Sequence, residues 1–206
     1  TRRSSDLAEH QTALEIAQQM ADAGDRAGEA LPFPFPRGPL GISCLYLGHY
    51  EPARSHLEAS VAHYDREKHR SSAFVYGQDL GVLYLSYLAW VLWLLGHVDQ
   101  ALQRSREAVD LAEGLDHPFT LSSGLCVVGR LHTMCREALA TVELAAAAAE
   151  VARQRGFVFY EAAAISLLGW ACVSQGALEE GEAEIRRGLT GWQAAGAEFH
   201  RPHHLT

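Results

Sequence analysis

The sequence predicts an all-α protein, a solenoid of antiparallel helical hairpins with a period of about 40 residues. Three observations predict it. Gly77 to Gly96 holds a nearly unbroken apolar run, followed at once by the amphipathic segment HVDQALQRSREAVDLAEG. Gly114, Gly156 and Gly196, which close amphipathic segments, are spaced by 42 and 40 residues. Gly96 and Gly176, which sit in turns inside hairpins, are 80 apart, with Arg136 at the midpoint. A two-helix unit recurring at such a period is the mark of a stacked helical array.

Composition agrees. The 206 residues are 48% hydrophobic and 20% charged, which suits a folded chain able to bury a substantial core. The formal charge of -8 argues against direct nucleic-acid binding, which needs a concentrated basic surface. Lys68 is the only lysine; with abundant alanine and glycine, the arginine bias hints at a GC-rich bacterial genome. Cys44, Cys126, Cys135 and Cys172 lie in apolar helical patterns without CxxC spacing, and read as buried thiols of a reducing, cytoplasmic setting. No signal peptide or membrane span is visible. The central apolar run is shorter than the roughly 18 residues a span requires, and it opens on Gln78 and Asp79.

Taken in order, Leu7 to Ala23 has the apolar spacing of an amphipathic helix, with Gly24 expected as its left-handed cap. Four prolines in LPFPFPRGP forbid helix until about Pro39. Leu40 to Leu47 follows as a short apolar helix. Glu51 and Pro52 open the next, with Ala53, Leu57, Val61 and Tyr64 as its buried stripe. The charged stretch Asp65 to Arg70 breaks the pattern before the central helix, which is expected to begin near Ser71 or Ser72. An apolar helix on all sides must be buried on all sides. Beyond it, Ala101, Ser105, Ala108 and Ala112 mark the buried face of an amphipathic partner.

Pro118 starts a further hairpin, with helices over Thr120 to Met134 and Leu139 to Arg153. The last pair covers Phe157 to Gln175 and a helix bearing Gly181, Ile185, Gly188 and Trp192 at helical spacing. The longer interval from Gly24 to Gly114 implies an insertion of about six to ten residues, in the proline-rich or the Asp65 to Arg70 segment. The array reads as one domain, 1–206, cut from a longer chain. Its units are 1–30 (partial), 31–70, 71–116, 117–157, 158–197 and the start of another helix at 198–206.

Leu47-Gly48-His49-Tyr50 with Ala53 and Leu57, and Leu95-Gly96-His97-Val98 with Ala101, Ala108 and Pro118, resemble the tetratricopeptide repeat (TPR). Gly41 and Gly169 stand where that motif wants a small residue for close helix contact. The resemblance implies a TPR-like α-α superhelix. At longer range, GQDLGV and LGHVDQAL within His49 to Pro202 resemble the C-terminal TPR-like region of bacterial STAND-type AAA ATPases, signalling proteins of adenylate/guanylate cyclase or LuxR-like regulator type. What that implies is a regulatory segment that binds a protein or peptide partner, or the parent's own ATPase domain.

None of the familiar catalytic motifs is found in the sequence: there is no GxxxxGK[ST], GxSxG or HExxH. No catalytic, cofactor-binding or metal residue is assigned. His200 and His204 have helical spacing but Pro202 intervenes and no carboxylate completes a site; with His203, and with His132 three residues from Cys135, they read as surface or capping histidines. Asp79 beside Gln78 suits a helix cap. With Tyr76, His69 and Arg70 close by in sequence, the pair alternatively forms a polar pocket for a small effector.

In TPR arrays the first helix of each hairpin lines the concave face. Trp90, Arg130 and Trp170 recur at spacings of 40, as do Ser86, Cys126 and Ser166, and Trp93, Thr133 and Val173. The candidate partner-binding residues are therefore Trp90, Arg130, Trp170, Ser86, Ser166, Trp93, Tyr76, Gln78 and Asp79. Tryptophan and arginine dominate interface energetics. The cut ends of such an array also offer apolar surface for homodimerisation.

Overall fold

The structure, a computed structural model, describes residues 2–27, 35–69 and 71–195. Among these, eleven helices and no strands are present. The chain divides into two compact units, Thr1–Glu107 and Ala108–Thr206.

The first unit holds α1 (Arg2–Ala27), α2 (Gly38–Tyr46), α3 (Tyr50–His63), the short α4 (Arg66–His69) and α5 (Ser72–Tyr76), and α6 (Leu80–Leu94). It also takes in the first part of α7 (Val98–Glu113). α2 packs on α1 and α3, and α6 lies against α3. α1 differs from expectation, because it runs through Gly24 without a left-handed cap. A helical glycine costs about 1 kcal/mol relative to alanine; Gly24 is buried, where packing overrides that local preference.

The central apolar run also differs. Gly77 is left-handed at φ 78 and separates α5 from α6, so the long helix starts at Leu80 rather than near Ser71. α6 buries most of its length, including Val82, Tyr84, Leu88 and Val91, although Leu94 is exposed. In α3, Ala53 and Leu57 are fully buried as expected, while Ser60 takes the place anticipated for Val61.

The second unit begins within α7 and holds α8 (Pro118–Met134), α9 (Ala138–Arg155), α10 (Val158–Ser174) and α11 (Leu178–Ala194). α8 packs on α9, α9 on α10, and α10 on both α8 and α11. Its core gathers Leu125, Cys126, Ala148, Ala162, Ala163, Ala164 and Trp192. Alanine-rich faces let the helices approach closely. An added Cβ at Gly169 would sit 2.8 Å from the Gly181 carbonyl oxygen, and one at Gly181 would sit 2.6 Å from that of Gly169. The glycine pair is what permits α10 and α11 to touch backbone to backbone.

One turn recurs four times. At Gly48, Gly96, Arg136 and Gly176 the backbone is left-handed, with φ 80, 85, 59 and 92. Each of these N–H groups donates to the carbonyl three residues back, as Gly96 does to Trp93 at 2.9 Å. The next N–H donates to the carbonyl five back, as His97 does to Leu92 at 2.8 Å. This is the Schellman closure. The carbonyl of that same next residue then receives the first bond of the following helix, from Ala53, Ala101, Thr141 or Gly181. The four turns are spaced by 48, 40 and 40 residues, so the first interval is eight longer. Those residues fall where α4 and α5 stand. The proline-rich alternative for the insertion lies before Gly48; of LPFPFPRGP, residues 31–34 lie outside the described residues, as do Gly196, His200, His203 and His204.

Candidate functional site

The inserted segment is tied down by an aromatic cluster. Phe35 is buried, with its ring centroid 4.9 Å from His69, 5.9 Å from Tyr84 and 6.1 Å from Tyr64. Two glycines make room: a Cβ on Gly38 would strike the Tyr84 ring, and one on Gly81 the Tyr64 ring.

Asp79 closes this cluster against α6. It is only 1% exposed. Its Oδ1 accepts from the Val82 N–H at 3.0 Å, capping α6, and its Oδ2 accepts from the Tyr64 hydroxyl at 2.9 Å. Burial first, and then the Asp79 charge, push the Tyr64 phenol well above its ordinary value. Both Asp79 oxygens are thus engaged by groups of the protein, as the capping reading of the sequence expects. Gln78 is half-buried beside it, and Tyr76 stands at the end of α5.

The equivalent rows divide by depth. Ser86 and Ser166 are buried, and their hydroxyls donate to Val82 O at 2.7 Å and Ala162 O at 3.0 Å on their own helices. Cys126 is buried too, and its thiol, pushed up to about 12 by burial, donates to Tyr160 O at 3.5 Å. Trp90 is buried in the first unit, edge-on to Tyr87 at 5.4 Å. Trp93 is half-buried near the end of α6. In the second unit, Arg130 on α8 and Trp170 on α10 are each half-buried, on two helices that pack together.

Two features escaped the sequence reading. Tyr46, half-buried on α2, stacks on His10 at 5.2 Å and meets Tyr87 hydroxyl to hydroxyl at 3.2 Å, forming an aromatic run that reaches Trp90. No spacing rule pairs positions 41 apart across a unit lengthened by an insertion. The second is the exposure of Phe74 and Val75 on α5, next to the already named Tyr76. Three apolar residues next to a period-breaking charged stretch were the available signal. Among the described residues, no three histidine, cysteine or carboxylate side chains gather as a metal-binding group, and no helix is long and apolar enough to cross a membrane.

Comparison with solved structures decides the fold. Nearly identical TPR-like repeats of kinesin light-chain type from Podosopora anserina, solved with and without a point substitution, match with TM-scores of 0.62 and 0.60 at 16% identity. These matches cover 95% and 96% of this chain and 92% and 93% of theirs. The fold is that of TPR-like helical repeats. BtubC (BKLC) from P. vanneervenii matches likewise, with a TM-score of 0.61 at 14% identity over 95% of this chain and 93% of its own. No family model and no curated protein matches the chain. At these identities the TPR-like neighbours speak for the fold alone. They do explain why small residues recur at the inner helix contacts, since each hairpin buries itself only against its neighbours.

Proposed function

We propose that this chain is a non-catalytic interaction module that binds a protein or peptide partner through the first helices of its hairpins. In this reading it serves as a regulatory segment of a multidomain bacterial signalling ATPase, linked to a cyclase or transcription-regulator output. Any ATPase or cyclase chemistry would belong to other domains of that parent. The array acts as one cytoplasmic domain, with units at 31–70, 71–116, 117–157 and 158–197. Its partner is a second protein, a peptide, or the parent's ATPase domain.

One observation carries the reading. Arg130 and Trp170 stand at the same offset before the left-handed turn residues Arg136 and Gly176, and neither is fully withdrawn from solvent. A guanidinium and an indole at equivalent points of stacked helices suit a ligand laid across them. Partner binding by the intact parent, with and without this segment, tests the module. Arg130→Ala with Trp170→Ala tests the surface: affinity is expected to fall at least about tenfold, which is 1.4 kcal/mol. Unchanged affinity in a variant that keeps its helical spectrum would sink it.

A further inference from the structure

Three helices of the first unit meet near the end of α1. Arg37, directly before α2, donates to both carboxylate oxygens of Asp25 on α1, at 2.8 and 2.6 Å. One helical turn further on, the Gly41 N–H donates to the Arg37 carbonyl at 3.0 Å. Gly41 itself lies hard against α3, where an added Cβ would sit 2.7 Å from Leu57 Cγ and 3.2 Å from the Ala53 carbonyl oxygen. His56, the residue before Leu57, is half-buried on that stretch of α3. A carboxylate, a guanidinium and an imidazole from three successive elements are thus gathered at one junction.

Their charges pull against one another. Burial first, and then the Arg37 charge, hold the His56 imidazole below its ordinary value, and Asp25 offsets this only in part. The other helices packed on α3 bring no charged side chain: α2 offers Cys44 and Tyr46, and α6 offers Tyr84 and Tyr87. On α3, Arg54 and Glu58 pair with each other at 2.8 Å, Glu51 acts on Arg54, and His63 lies two turns along, against the Ala59 carbonyl. On α1, Asp22 and Arg26 are exposed, and Asp22 accepts from Gln18 at 2.8 Å. His10 is the other imidazole between α1 and α2, stacked on Tyr46 at 5.2 Å.

We propose that this junction is a proton-sensitive clamp, in which protonating His56 sets a second cation beside Arg37, loosens its grip on Asp25 and frees the end of α1 from the start of α2. The clamp is able to yield, because the Arg37 and Asp25 side chains are 42% and 56% exposed and ion pairs so exposed hold weakly. In the closed junction the imidazole resists the proton; once opened, it takes the proton near its ordinary value of about 6.5. Closure is therefore fully favoured above that pH and loses ground as pH falls through it. Opening uncovers Ala17 and Ala21, the buried face of α1. The junction lies in the first unit and Arg130 and Trp170 in the second, so the clamp and the partner surface stand or fall separately.

Amide hydrogen exchange of the full chain at pH 7.5 and 5.5, corrected for the intrinsic pH dependence of exchange, tests the clamp in peptides covering 18–27 and 38–42. At pH 5.5 the opened form holds about ten protonated imidazoles for each neutral one, so opening gains at most about tenfold. A rise of about three- to tenfold is expected in these peptides and none in α9. His56→Gln should abolish the rise, and His56→Asn replaces it should it fail to fold. His10→Phe, which keeps a ring on Tyr46, should retain it. Equal opening at both pH values, an undiminished rise without His56, its loss in His10→Phe, or the same rise in α9 would overturn the proposal.

Discussion

Tyr64 and Asp79, fifteen residues apart, are joined by a 2.9 Å hydrogen bond that spans the whole inserted segment. The same carboxylate caps α6. One side chain therefore both starts the central helix and fastens the insertion to it. Asp79→Ala removes the cap, worth about 1 kcal/mol, and strands a half-buried hydroxyl, worth about 1–3 kcal/mol. A total loss of about 2–4 kcal/mol is expected in urea unfolding. Asp79→Asn keeps an acceptor for the Val82 N–H and should cost less. If the two variants cost the same, the cap has been misassigned.

The raised phenol of Tyr64 sets a pH dependence. Burial and the neighbouring carboxylate lift it above the ordinary value of about 10, and burial lifts Tyr84 likewise. In the unfolded chain both phenols ionise near 10. Between that pH and their folded values only the unfolded state releases the protons. Stability is thus fully present below pH 10 and drains away as pH rises above it. Tyr64→Phe should soften this alkaline loss while weakening the protein at neutral pH. Ultraviolet titration of the native protein should show phenols that ionise late, and Tyr64→Phe should remove one of them.

Arg136 occupies a backbone conformation that its three counterparts assign to glycine. Left-handed backbone costs a residue with a Cβ about 1–2 kcal/mol, partly offset by the greater freedom glycine has when unfolded. Arg136→Gly should accordingly stabilise the fold by about 0.5–1 kcal/mol. The reciprocal change, Gly176→Ala, should destabilise it by about 1 kcal/mol, since an added Cβ there meets nothing within 4 Å. Thermal midpoints moving in the same direction for both would contradict the reading.

Gly188 poses a different constraint, one of space. A Cβ there would run into the Ser166 hydroxyl and lie 2.7 Å from Ala162 O. Gly188→Ala should cost about 2–3 kcal/mol through forced separation of α10 and α11. Adding Ser166→Ala should recover only part of this, because the backbone oxygen remains. Full recovery in the double variant would place the strain in the hydroxyl alone.

Much of this fold was legible because its turns are made of single residues with distinctive chemistry. Gly96, Gly176 and the odd Arg136 betray the repeat, and the buried alanines of α7 follow from 3.6-residue spacing alone. Gly24 misled because the same residue type serves as a cap or as a helix interior, and only packing distinguishes them. The split at Gly77 was missed for a related reason, since α4 and α5 are too short to show any period. Of the candidate site, the capping role of Asp79 could be read from the sequence, whereas its bond to Tyr64 could not. That bond depends on where an insertion folds back, which local pattern does not encode.

The fourfold turn has a consequence for how the chain acquires its structure. Every bond that closes a turn joins residues no more than five positions apart. Closing a turn therefore requires no distant part of the sequence, and the entropy of closing such short loops is small. A polypeptide leaving the ribosome can shut each hairpin as it emerges, then add the next onto a surface already formed. The inserted segment is the exception, because the grip of Asp79 on Tyr64 must wait until α6 has begun to appear. The first unit is therefore fastened only once Asp79 has joined Tyr64, fifteen residues behind it.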